Sequence, residues 1–198
     1  MPLRRIYDGK NITTTFHDGY LDRLNRWSDI QEYLPFLFDQ ACTHPRILEL
    51  GSRKGNSTLA FLAAAELSGG HVWSGDIADV RLDPRGMARW RNARRWTFIQ
   101  GDDMDPDVQA RFPDEVDLFF LDTSHEYSHT LAELRAYMPR VARNGIALFH
   151  DTHLMSWPGY DWTGEKSPVW TALDDYCAET GRTWEDLPGE YGLGIIRG

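Results

Sequence analysis

With 198 residues, 41% of them hydrophobic, the chain is long enough to bury one substantial core and short for two. Its 21 basic and 30 acidic residues leave a formal charge of -9, a field that repels polyanions and argues against nucleic acid as the main partner. No run approaches the ~20 apolar residues of a bilayer span, residues 1 to 15 carry no apolar leader, and Cys42 and Cys177 lie far apart without metal-type spacing. A cytoplasmic protein with reduced thiols, no membrane partner and a neutral or cationic small-molecule ligand is expected.

In chain order, residues 1 to 28 read as irregular. Ser28 then N-caps a predicted helix to about Ala41, with Ile30, Tyr33, Leu34 and Leu37 on one face. Residues 1 to 44 are read as an N-terminal cap, and residues 45 to 198 as the main domain. Residues 1 to 27, with Tyr7, Phe16, His17 and Tyr20, are candidates to cover the acceptor or to bridge protomers of a homo-oligomer.

Strand-like runs follow at Arg46–Leu50, His71–Gly75, Trp96–Gln100, Val116–Leu121 and Gly145–Phe149. They alternate with helical segments from Ser57 to Leu67, Ser128 to Val141 and Pro168 to Glu179. Alternation of this kind predicts an α/β fold, a Rossmann-like parallel sheet with helices on both faces. Thr183–Leu187 and Tyr191–Arg197, separated by Pro188-Gly189, predict a terminal hairpin that brings the sheet to seven strands and adds an antiparallel member.

Several predicted strands end on acids. The carboxyl ends of parallel strands border the ligand crevice, so acids placed there face a bound molecule. The first strand runs through Glu49 into Gly51-Ser52-Arg53-Lys54-Gly55, a turn that opens a helix and lets a ligand approach the backbone closely. Its Gly-x-x-x-Gly spacing is neither the dinucleotide fingerprint nor a P-loop, so phosphate binding is disfavoured. Glu49 would oppose a phosphate but attract an ammonium or sulfonium. Asp76, ending the second strand, is placed to accept both ribose hydroxyls, and Asp102, after the third, to take an adenine amino group.

These residues resemble the class I S-adenosylmethionine-dependent methyltransferases, in particular the macrocin and mycinamicin type of sugar O-methyltransferase and the cephalosporin-hydroxylase-like proteins. The likeness covers about residues 45 to 153 and extends weakly through the hairpin. It implies that Glu49, Gly51, Ser52, Gly55 and Ser57 form the methionine-binding motif, that Asp76 and Asp102 hold the ribose and adenine, and that Asp122 also meets the cofactor.

In Leu121-Asp122-Thr-Ser-His125-Glu-Tyr127 the fourth strand delivers Asp122 to the crevice. His125 follows three residues later, and histidine is the side chain best suited to take a proton near neutral pH. Asp122 and Asp151 end adjacent strands, which lets their carboxylates converge on one ion. The likeness assigns them to a divalent metal, Mg²⁺ or Mn²⁺, with His125 as general base. His150 stands where those relatives carry a second acid, a change that favours a transition metal over Mg²⁺.

Beyond Asp151, Trp157, Tyr160 and Trp162 occupy a long connection that reads either as an acceptor-binding lid or as an aromatic plug. The arginines between Arg81 and Arg95 read as a solvated face. The leading expectation is an O-methyltransferase acting on a small-molecule hydroxyl, with a sugar or natural product as the candidate acceptor. A nicotinamide-dependent oxidoreductase and a non-catalytic adenosyl-binding module are the alternatives.

Overall fold

The computed structural model describes residues 15–79, 94–156 and 162–198. Seven strands form one sheet: β1 Arg46–Leu50, β2 His71–Asp76, β3 Trp96–Gln100, β4 Val116–Leu121, β5 Val141–His150, β6 Glu185–Leu187 and β7 Leu193–Arg197. Their order is β3-β2-β1-β4-β5-β7-β6. The first five run parallel, while β7 pairs antiparallel with both β5 and β6. The architecture is the expected Rossmann-like α/β sheet with its terminal hairpin.

Alternation along the central strands divides the core in two. Ile47, Leu118, Phe120, Ile146 and Leu148 face a layer built from α1 (Thr15–Leu24), α2 (Leu34–Thr43) and α3 (Asn56–Ser68). Leu48, Leu50, Phe119, Leu121, Ala147 and Phe149 face the opposite layer. That layer includes α4 (Pro106–Gln109), α5 (Tyr127–Tyr137) and α6 (Pro168–Thr180). Burial on both faces explains why these strands read as continuous apolar runs.

Helix α1 departs from the irregular segment expected before Ser28. Phe16 and Tyr20, one helical turn apart, are buried, and the Tyr20 ring stacks on Phe38 of α2 at 4.8 Å. Tertiary burial outweighs the propensity cost of Gly19 within the helix. The next helix begins later than Ser28: a 3₁₀ turn at Gln31–Tyr33 precedes α2, whose first turn contains Pro35. Helix α5 stops at Tyr137 rather than Val141, because Pro139 converts the next three residues to a 3₁₀ turn. None of the described helices is long and apolar enough to cross a membrane.

Candidate functional site

The β1–α3 turn is organised by Gly51. Its φ is +86°, and a Cβ there would lie 1.9 Å from the carbonyl oxygen of Asp122, so both conformation and space demand glycine. The Gly51 N–H donates to Gly75 O at 2.9 Å, and the Asp122 N–H to Leu50 O at 2.9 Å. These bonds bring the ends of β1, β2 and β4 to one rim. Gly55, with φ +73°, forms the N-cap of α3.

A cavity of about 340 Å³ opens beside this rim, lined in part by Gly51, Asp76, Ile77, Asp102, Asp122 and His129. Four of the expected cofactor residues (Gly51, Asp76, Asp102 and Asp122) therefore share one cavity. The Asp76 carboxylate accepts the backbone N–H groups of Arg53 at 2.7 Å and Ala78 at 2.8 Å, which ties the two loops to the strand end. Asp102 accepts the Met104 N–H at 2.9 Å. Ile77 is 75% exposed and gives this polar rim an apolar surface. Its signal in the sequence is an apolar residue placed just past a strand end.

A second cavity, of about 310 Å³, lies on the other side of the turn and shares Gly51, Arg53 and Asp122 with the first. Ser52 and Ser57 line it together with residues 26 to 30. The Arg53 guanidinium donates to Asp29 at 2.8 Å, which links the turn to the segment before α2.

Glu49 takes a different place from the one expected. It lies on the α3 side of β1, fully buried, and lines neither cavity. Ser57, Thr58, Ser74 and Ser52 donate to its carboxylate at 2.6, 2.7, 2.6 and 3.4 Å. Burial pushes its pKa up to about 7 despite these four hydroxyls. The physical reason for its position is parity: Glu49 shares a strand face with Ile47, and Ser74 is its register partner on β2.

The acids and imidazoles of the chemical site converge behind Asp122. His125 Nδ1 lies 3.2 Å from Asp151 Oδ2. His150 Nδ1 lies 3.0 Å from the same oxygen and 3.4 Å from Asp122 Oδ1, yet neither nitrogen of His150 has a partner in hydrogen-bond geometry. For Asp122, burial acts to raise the pKa, but attraction to His150, His125 and Arg53 outweighs it and holds the carboxyl below its ordinary range. Burial opposes protonation of His150, and the two aspartates overcome it, pushing its pKa up to about 10.

Asp122, His125 and Asp151 present ligand atoms within 4.8 Å of one another. His125 thus joins the metal-type set directly, and His150, expected there, stands behind it. His125 and His150 border a small recess with Asp122 and line neither of the two larger cavities. Arg53, His125 and Asp151 have φ of 43°, 60° and 65°, left-handed backbone that costs non-glycine residues roughly 1–2 kcal/mol each.

Sequence reasoning missed a second cluster, in which His129 Nε2 lies 3.2 Å from Asp103 Oδ1 and 3.3 Å from Glu133 Oε1. Thr123 donates to Glu133 at 2.7 Å, coupling this cluster to the loop after β4. The Asp103 and Glu133 carboxylates beside it push His129 up to about 10, while burial lifts Glu133 to about 7. The His129–Glu133 spacing of one helical turn is its sequence signal.

Trp157, Tyr160 and residues 81 to 93 lie outside the described residues. Trp162 stacks on Tyr127 of α5 at 5.9 Å, and Arg95 donates to Gly70 O at 3.0 Å.

The sequence matches a family model described as a methyltransferase domain over residues 48–152. No curated protein matches it. Among solved structures, the SAH-bound methyltransferase PaMTH1 of Podospora anserina is similar over 98% of this chain and 92% of its own, at 17% identity and a TM-score of 0.66. An O-methyltransferase of Bacillus cereus in complex with SAH gives 16% identity, coverages of 98% and 96%, and a TM-score of 0.66. TomG, an O-methyltransferase of Streptomyces achromogenes solved with SAM, gives 12%, coverages of 98% and 94%, and 0.64. At these identities the likeness speaks to the fold.

Proposed function

The chain belongs to the methyltransferase domain family, and from that premise we propose that it is an S-adenosylmethionine-dependent O-methyltransferase acting on a small-molecule hydroxyl. The observation that carries this reading is the pair of cavities meeting at Gly51, Arg53 and Asp122. Adenosine fits the first, where Asp76 and Asp102 supply acceptors for ribose hydroxyls and an adenine amino group and Ile77 supplies apolar surface. The methionine portion occupies the second, the sulfonium sits at the junction beside the Asp122 carboxylate, and the acceptor extends from the second cavity past Asp122 so that its hydroxyl meets the recess bordered by His125. Glu49 supports the turn from beneath, through Ser52 and Ser57.

In the proposed reaction the acceptor oxygen attacks the methyl carbon in line. The O–C bond forms as the C–S bond breaks, its electron pair stays on sulfur to give S-adenosylhomocysteine, and His125 takes the hydroxyl proton. Holding the two reactants in line is the larger share of what the protein supplies, and a positioned base adds typically 10²–10⁴-fold. The left-handed backbone of His125 and its 3.2 Å approach to Asp151 fix the imidazole. A divalent ion held by the Asp122 and Asp151 carboxylates, with His125 left unligated as the base, would lower the hydroxyl's pKa. The two carboxylates, with the unmatched imidazole of His150 beside them, suit Mn²⁺ or another transition ion better than Mg²⁺.

Within the family we read the chain as one of the macrocin and mycinamicin type, acting on a sugar or natural product, supported by the Asp122-x-x-His125-x-Tyr127 run. We place it in the cytoplasm, a reading that free Cys42 and Cys177 support. The test is transfer of a tritiated methyl group from S-adenosylmethionine to a panel of hydroxylated sugars and aromatics. Transfer by the wild type, lost in His125→Ala while S-adenosylhomocysteine still binds, is expected. Absence of transfer to every acceptor, or transfer indifferent to His125, would contradict it.

A further inference from the structure

The second cavity has a charge character at odds with the molecule. The chain carries a formal charge of -9, yet the ionic side chains around this cavity are Arg23, Arg26, Arg53 and Lys54 against only Asp29 and Asp122. Arg53 is paired with Asp29 at 2.8 Å, and Arg26 with Asp22 at 3.0 Å. Arg23 donates weakly to the Lys54 carbonyl at 3.5 Å. Cations outnumber carboxylates on the cavity wall, and Arg26, Arg53 and Lys54 are exposed there. At its mouth Trp27 is 77% exposed, an uncommon placement for the largest aromatic side chain.

Building on the methyl-transfer reading, we infer that this cavity selects an anionic acceptor: a hydroxylated ring bearing a carboxylate, or a group of like charge, that stacks on Trp27 and is steered by Arg26 and Lys54. The donor does not account for these cations. S-Adenosylmethionine carries a sulfonium, an ammonium and one carboxylate, so it is itself a net cation, and a surplus of arginine and lysine beside it is unfavourable unless the second ligand brings negative charge. An acceptor that does so balances the cavity. A guanidinium or ammonium beside a carboxylate forms a charge-assisted hydrogen bond, about twice as strong as a neutral one. An indole face offers large apolar contact area and tolerates many ring types.

Two probes that differ by one carboxylate test the inference, 3,4-dihydroxybenzoate and catechol, titrated calorimetrically into protein saturated with S-adenosylhomocysteine. The expected result is binding of the acid roughly tenfold tighter or more, with a preference that shrinks as salt is raised. The Arg26→Ala/Lys54→Ala double variant should lose this preference and keep its affinity for S-adenosylhomocysteine. Both side chains are solvent-exposed, so their removal leaves the core intact. Trp27→Ala should weaken both probes by similar factors.

Equal affinity for the two probes, or no binding of the acid up to about 10 mM, would overturn the inference. So would a preference that survives the double variant, or a double variant that loses S-adenosylhomocysteine along with the acid, since the cations would then serve the donor's carboxylate. Repeating the titrations without S-adenosylhomocysteine separates the two ideas. A carboxylate preference in a protein that never binds that nucleoside would sink the methyl-transfer reading and leave the anion-selective cavity standing.

Discussion

The two edges of the sheet treat polar groups in opposite ways. At the amino edge, Arg46 grips Asp117 through Nη2 at 2.6 Å and Nε at 3.0 Å, adds its own backbone N–H at 3.0 Å, and reaches Glu115 at 2.7 Å. Hydrogen bonds from Arg46 hold the Asp117 carboxyl below its ordinary range. At the carboxyl edge, His150 has two unmatched nitrogens, and Glu133 Oε2 and Asp103 Oδ1 likewise lack hydrogen-bond partners. Among the described residues, all three non-glycine positions with left-handed backbone lie there too. One edge is organised for stability. The other gathers the left-handed residues and the unmatched atoms of His150, Glu133 and Asp103, as sites built to receive a ligand do, although Asp39 Oδ1 on α2 and Glu66 Oε2 on α3 are unmatched as well.

Substitutions at the two edges should therefore separate stability from activity. The largest effect is expected at the hinge of the functional rim. Gly51→Val must place Cβ into the Asp122 carbonyl and adopt a forbidden backbone, at a cost of about 4 kcal/mol or more. Denaturant titration should show a protein unfolded or nearly so, and a normal unfolding midpoint would break the account of this turn.

Next in size is His125→Ala. Its kcat should fall by roughly 10²–10⁴, about 3–5 kcal/mol of barrier, while its melting temperature stays nearly level, because alanine keeps the Cβ that sets the left-handed backbone cost. A comparable loss of stability would move His125 from the chemistry to the scaffold.

Glu49 belongs to the rim by sequence and to the core by contact, so it sharpens the comparison. Glu49→Ala leaves four hydroxyls without their acceptor and should cost roughly 2–4 kcal/mol. Its folded-state pKa of about 7 lies above the ordinary 4.5. The stability linked to it is complete below about pH 4.5, declines as pH rises to 7, and is gone above that. Glu49→Gln should flatten this slope, read as the change in urea midpoint between pH 5 and pH 8. The smallest effect is predicted at the amino edge: Arg46→Ala, with both partners partly exposed, should cost about 1 kcal/mol and leave turnover untouched.

Strand composition and the glycine turn announced most of this arrangement. Four of the five predicted parallel strands agree with the structure to within a residue at each end, and β5 starts earlier than Gly145, at Val141. These strands are buried on both faces, and such runs stand out. Asp76, Asp102 and Asp122 share a cavity because each sits at or just past a strand end, where parity no longer hides a side chain. Glu49 lies two residues before Gly51, inside the strand, where parity turns it into the α3 face. Helix α1 was hidden because its apolar residues are few and Gly19 interrupts them, so only burial against α2 and α3 makes it helical. Of the Asp103–His129–Glu133 cluster only the His129–Glu133 pair shows in local spacing; Asp103 joins it from a loop and depends on how α5 docks, which local pattern does not encode.

The central claim is that the rim joining β1, β2 and β4 binds an adenosyl donor with Asp76 on its ribose. Calorimetric titration of S-adenosylhomocysteine and of NAD into the wild type and into Asp76→Ala tests it most directly. The account predicts micromolar or tighter binding of S-adenosylhomocysteine, none of NAD, and at least a tenfold loss in the variant. Binding of NAD in place of S-adenosylhomocysteine, or an Asp76→Ala protein with undiminished affinity, would contradict it.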